Sequence, residues 1–130
     1  MPANDLNIFQ YAVIRFVPNV EREEFVNVGL IMYSKKARYI RMEYRLCAEK
    51  YKSICISGPE YDEVITVLAN MKDISLGNCQ AGPIASLDLS ERFRWLTAVR
   101  STVIQSSSAH PGKSSDLDAT FDRLFNELVL

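Results

Sequence analysis

Residues 9–17, Phe-Gln-Tyr-Ala-Val-Ile-Arg-Phe-Val, decide the fold predicted for this chain. Aromatic and β-branched residues dominate the stretch, which predicts a strand, and Pro18 ends it because proline cannot donate a hydrogen bond to a neighbouring strand. Only Gln10 and Arg15 are polar, so both faces of the strand are largely apolar. We therefore expect an inner strand rather than an edge strand.

Two more strands are predicted directly downstream. In residues 25–33 every second residue from Val26 to Met32 is apolar, and residues 38–46 alternate regularly between apolar and polar side chains. A polar turn at 34–36 separates the two runs. Together with residues 9–17 they predict an antiparallel meander.

The rest of the chain predicts mainly helices, which are recognised by capping residues and by apolar side chains at the helical period. The first predicted elements are a short helix in 47–56 and a helix that begins with a capping box at Ser57-Gly58-Pro59-Glu60 and continues to Met71. A loop over 75–86 follows, and then a short helix that Ser90 is predicted to cap and that runs through Leu96. The chain continues with a fourth strand at 102–105, a loop over 106–115 and a final helix from about Asp116.

Strands first and helices mostly later predict an α+β fold, with an antiparallel sheet of about four strands on one side and helices on the other. Residues 1–130 are expected to form a single domain. The apolar residues with the most consistent period form the predicted core: Val13, Val26, Val28, Leu30, Ile40, Met42, Leu68, Trp95, Leu124 and Phe125.

Composition excludes several classes of protein. The 130 residues are 48% hydrophobic and 24% charged, as expected for one compact domain, and the net charge of -1 argues against general nucleic-acid binding. No apolar run is long enough to span a membrane, and residues 1–5 do not resemble a signal peptide, so we expect a cytoplasmic protein. Three cysteines without a Cys-x-x-Cys pair and a single histidine predict neither a metal site nor a cofactor.

Polar residues that could carry function concentrate in two segments, residues 22–29 and residues 91–113. Arginines in the second segment offer planar donors to phosphate or carboxylate, and His110 is a candidate acid or base. Asn27 stands in an apolar strand, where a half-buried amide needs partners. The alternatives are a solvated helix face for the arginines, a structural hydrogen bond for His110, and a β-bulge for Asn27. The candidate binding residues are Glu24, Asn27, Arg92, Arg94, Arg100, Ser101, Gln105 and His110.

The same two segments carry a family resemblance. Residues 11–15 and 24–29, followed by 92–96 and 100–105 with His110 and Gly112, resemble a family of small bacterial proteins known as the domain of unknown function number three thousand and thirty-seven. The resemblance implies a stand-alone cytoplasmic protein, often encoded beside a kinase similar to the persistence kinase HipA. It implies no established catalytic residues.

Two functional hypotheses follow, and whether the protein is an enzyme stays open between them. In the first, it is a non-enzymatic partner of the HipA-like kinase or of its substrate, with an interaction surface lined by Arg and Asn. In the second, it is a small enzyme or ligand-binding domain for a phosphorylated or carboxylated molecule. His110 would then act as acid or base, and Arg92, Arg94 and Arg100 would clamp the anion. We also expect Glu23 or Glu24 and Asn27 to lie near these arginines.

Overall fold

Strand β1 (Asn7–Phe16) is the central strand of a five-stranded antiparallel sheet in the computed structural model, which describes residues 6–98 and 102–130. Along one edge it pairs with β2 (Val26–Ser34), and β2 pairs in turn with β3 (Tyr39–Tyr44). The meander and the inner position predicted for residues 9–17 are therefore confirmed.

The other edge of β1 is shared by two short strands, β4 (Ile104–Ser106) and β5 (His110–Ser114). β4 pairs with the second half of β1 and β5 with the first half. Between them, the Ser107 amide donates to the Val13 carbonyl at 2.8 Å, and the Val13 amide donates to Ser107 Oγ at 2.9 Å. The prediction of a loop over 106–115 was wrong for β5, because Pro and Gly in the sequence concealed a strand that β1 stabilises by long-range pairing.

Three helices lie against one face of the sheet: α1 (Ala48–Ile54), α2 (Tyr61–Ser75) and α3 (Leu89–Leu96). The residues predicted to cap α2 and α3, Ser57 and Ser90, do not cap these helices. The N-cap of α2 is Glu60, which makes no side-chain capping bond, whereas Asp88 caps α3 by accepting a hydrogen bond from the Glu91 amide. Ser90 lies inside α3 and shares a short hydrogen bond with the Tyr33 hydroxyl instead. Short 3-10 turns occupy Val20–Arg22, Cys79–Ala81 and Pro83–Ser86.

The opposite face of the sheet is covered by α4 (Leu117–Leu128), which begins where the sequence predicts a helix, and the Asp116 side chain caps it by accepting a hydrogen bond from the Ala119 amide. The single helical layer expected from the sequence is thus corrected to helices on both faces. Because both faces of β1 are apolar, it contributes Ile14 and Phe16 to the core under α2 and α3, and Phe9 and Val13 to the core under α4.

Most of the predicted core residues are buried. Val13, Val28, Leu30, Met42, Leu68 and Leu124 are buried, and Val26, Ile40 and Phe125 are half-buried against them. Trp95 is the exception, with 37% of its surface exposed at the end of α3. Within residues 6–98 and 102–130, none of the helices combines the length and the apolar character that crossing a bilayer requires.

Candidate binding site

A β-bulge brings polar residues from three strands into one row. The register between β1 and β2 shifts after Ile14, so that Ile14 faces Gly29 whereas Arg15 faces Asn27. On the other side of β1, Arg15 faces Gln105 of β4. Directly paired residues of an antiparallel sheet project from the same face, and strands lie about 4.8 Å apart. Asn27, Arg15 and Gln105 therefore form a row about 10 Å long on the α4 face, which we call the polar row.

Arg15 is the centre of the polar row. Its guanidinium carbon lies 4.4 Å from the centroid of the Phe25 ring, and Phe25 is 45% exposed. The Arg15 Nε is buried and has no hydrogen-bond partner. Burying a donor without a partner costs about 1–3 kcal/mol. Arg15 as a whole is half-buried, so a small rotation of its side chain that brings Nε to an external acceptor would remove this cost. Gln105 is held beside it by a 2.8 Å hydrogen bond from its Nε2 to the Thr102 carbonyl.

Asn27 has a structural role at one end of the polar row. Its Nδ2 donates to the Leu128 carbonyl at 3.0 Å. Lys50 Nζ donates to the carbonyls of Asn27 and Val129, at 2.5 and 2.8 Å. The last carbonyls of a helix lack partners within the helix and carry partial negative charge, so both side chains stabilise the end of α4. Burial lowers the pKa of the Lys50 amine.

Arg92 does not belong to the polar row. It lies on α3, on the opposite face of the sheet, and its Nη1 donates to the Ser75 carbonyl at 2.9 Å, at the end of α2. Its Nε donates to the Leu87 carbonyl at 2.9 Å. Arg94 is exposed on the same helix. Arg100 and Ser101 lie outside the described residues. Of the three arginines predicted to clamp an anion, the structure therefore describes only Arg92 and Arg94, and Arg92 is bound to backbone carbonyls.

Glu24 lies in a different place from the polar row. It forms a 2.7 Å ion pair with Arg22 Nε, and this hydrogen bond and charge hold the pKa of the Glu24 carboxyl below its usual value. The two residues help to line a small cavity of about 170 Å³ with the loop after β1 and with the end of α1 and the residues that follow it. The structure describes no contact that joins Glu24 to Asn27 or to Arg92.

His110 also lies away from Arg15, although on the same face of the sheet. It faces Tyr11 in the pairing of β1 with β5, and the two rings have centroids 5.3 Å apart. Tyr11 and Arg15 are four residues apart on one strand, a distance of about 13 Å at 3.3 Å per residue. The structure describes no contact between His110 and the guanidinium of Arg15.

The fold and the polar row define a small α+β protein with a helix-covered antiparallel sheet and a half-buried arginine on its central strand. Within the described ranges, no group of three His, Cys, Asp or Glu side chains is arranged to hold a metal ion. The chain belongs to the family described as "Protein of unknown function (DUF3037)", whose profile matches residues 11–129. Comparisons with curated proteins and with solved structures gave no match.

Sequence reasoning identified two members of the polar row, Asn27 and Gln105, but did not select Arg15. Arg15 was interpreted only as a polar exception in an apolar strand. The presence of an arginine in an otherwise apolar strand was the feature that could have indicated a site, because an inner strand accommodates an arginine only where its polar end contacts an aromatic ring, a hydrogen-bond partner or solvent.

Proposed function

We propose that the protein is a non-enzymatic binding module that recognises an anionic group on a partner protein through the polar row. One observation carries this proposal: the buried Nε of Arg15 has no hydrogen-bond partner, while the guanidinium stacks on the half-exposed ring of Phe25. A carboxylate or a phosphate supplies acceptor oxygens in the planar arrangement that a guanidinium binds best.

The chemistry of the row favours binding over catalysis. Arginine, asparagine and glutamine side chains donate and accept hydrogen bonds but do not act as nucleophiles or general bases near neutral pH. His110, the candidate acid or base, is separated from Arg15 by about 13 Å along the sheet. Both points support a protein that holds an anionic group rather than one that transforms it.

The HipA-like kinase that the family resemblance implies is the partner we propose. Binding of the purified kinase to the full chain is measured by calorimetry for the wild type and for Arg15→Gln. Charged hydrogen bonds contribute about 1.5–3 kcal/mol, so the substitution should weaken binding roughly 10- to 150-fold. Arg45→Gln is the matched control, because Arg45 is an exposed arginine outside the row. Equal melting temperatures of the variants establish that the fold is intact.

Two results would reject this proposal. If the kinase does not bind at micromolar concentrations, the partner is wrong. If it binds equally to Arg15→Gln and to the wild type, the polar row is not the contact. The alternative, a small phosphorylated or carboxylated ligand, gives a different result: such a compound raises the melting temperature of the wild type but not that of Arg15→Gln, without any kinase.

A further inference from the structure

A second surface lies at the opposite end of β1 from Arg15, on the face that α3 covers only in part. We define the basic shelf as Ile8 and Tyr33 together with Lys35, Lys36 and Lys113. We infer that the basic shelf binds an acidic amphipathic helix of a partner protein. This inference does not depend on the polar row, which lies on the other face of the sheet.

The floor of the basic shelf is apolar and open. Ile8 is 65% exposed although it lies within β1, and the preceding Leu6 is 49% exposed. Both line a groove of about 580 Å³ with Phe9, Gln10 and Tyr33. The groove exists because α3 reaches only as far as Tyr33, whose ring stacks on Phe93 with centroids 5.0 Å apart. The apolar surface of β1 continues beyond that contact.

Lysines flank this floor on two sides. Lys35 and Lys36 lie in the turn between β2 and β3 and line the groove, whereas Lys113 on β5 is paired directly with Ile8. All three side chains are exposed. None of them takes part in an ion pair with another described residue, and none of the described residues that line the groove is acidic. Among the described residues of the basic shelf, the charged side chains are therefore all lysines.

This combination selects the partner by charge and by shape. An amphipathic helix places apolar side chains at positions i, i+3, i+4 and i+7 on one face, and these are the anchors that a hydrophobic groove accepts. Glu or Asp beside those anchors would face Lys35 and Lys36 on one side and Lys113 on the other. A membrane surface fits less well, because a concave groove receives protruding side chains, whereas a flat bilayer is reached by side chains that protrude from the protein.

A peptide library tests the inference even though the partner protein is not identified. Peptides of about 18 residues, randomised among Leu, Ala, Glu and Lys, are displayed on phage and selected on the full-length protein. We expect enrichment of Leu at the helical period and of Glu over Lys at the flanking positions. The best peptide, synthesised and measured by fluorescence anisotropy, should bind at least tenfold more weakly to Ile8→Thr and to the double variant Lys35→Glu/Lys36→Glu.

Matched controls exclude a general effect of surface changes. Ile56→Thr removes an isoleucine that is 94% exposed at a different site, and Lys52→Glu reverses an exposed lysine on α1; neither should alter binding. The inference is overturned if selection enriches no periodic acidic sequence, or if the binding is insensitive to Ile8→Thr. It is also overturned if vesicles of phosphatidylserine and phosphatidylcholine bind in an Ile8-dependent manner while the selected peptides do not, or if sedimentation shows a dimer that Ile8→Thr dissociates.

Discussion

Replacement of Arg92 by methionine tests whether this arginine stabilises the fold or clamps a ligand. The guanidinium connects three backbone carbonyls, donating from Nε to Leu87 and from Nη1 to Ser75 and Ile74. Two of these hydrogen bonds are 2.9 Å long and the third is 3.3 Å. Arg92→Met preserves much of the aliphatic stem and removes every one of these donors.

The expected loss follows from those contacts. A hydrogen bond to a charged group contributes about 1.5–3 kcal/mol, but Arg92 is only half-buried and the released carbonyls would be rehydrated. We therefore expect the set to contribute about 2 kcal/mol to the free energy of unfolding. With an unfolding entropy of about 2.1 cal/mol/K per residue, this corresponds to a decrease of about 7 °C in the melting temperature.

Thermal and urea unfolding followed by circular dichroism measure this loss. Arg94→Met is the control, since Arg94 is exposed on the same helix, and it should melt within about 2 °C of the wild type. Arg92→Lys should lose an intermediate amount because it retains the charge but not the planar donors. If Arg92→Met is as stable as the control, the capping of α2 by Arg92 contributes nothing to stability and the expectation is refuted.

Three further predictions concern other parts of the molecule. A Cβ at Gly112 would lie 2.5 Å from the ring of buried Phe9, so Gly112→Ala should cost about 1–3 kcal/mol in urea unfolding, and an unchanged midpoint would contradict this packing. Asn27→Ala should destabilise the protein by about 1 kcal/mol and accelerate amide hydrogen exchange at the end of α4; unchanged exchange there would show that the bond to Leu128 is not needed. Burial, and to a smaller extent a hydrogen bond to Asp118, raises the pKa of the Tyr39 hydroxyl. Because the unfolded state then loses this proton at lower pH than the folded state, the free energy of unfolding should decrease as pH rises above about 10. Urea unfolding of Tyr39→Phe should show a smaller decrease over the same pH range.

Local patterns predicted the meander well, because its strands are long, neighbouring in sequence and clearly periodic. They failed for β5, in which His-Pro-Gly-Lys-Ser has low strand propensity and is held by pairing with β1. The same patterns did not predict that the helices form two layers, one on each face of the sheet. The apolar residues on both faces of β1 indicated an inner strand, but periodicity does not state which helix covers which face.

The candidate site was predictable only in part, for a related reason. Asn27 was recognised as an unusual residue, yet its partner Leu128 lies at the other end of the chain. Arg92 was recognised as a donor, but a sequence pattern does not distinguish an arginine that binds an anion from one that caps a helix, since both targets present oxygen acceptors. Arg15 becomes prominent only when pairing places it between two other polar residues.

The divided outer edge of β1 also affects how the chain folds during synthesis. Val13 and Ser107, which exchange hydrogen bonds midway along that edge, are 94 positions apart. At about 5–20 residues per second, a ribosome needs roughly 5–20 s to make the intervening segment. During that time the nascent chain exposes an apolar strand with one unpaired edge, the kind of surface that chaperones bind and that neighbouring nascent chains can pair with. Productive folding of this protein therefore depends on the last quarter of the chain emerging before the first strand associates elsewhere.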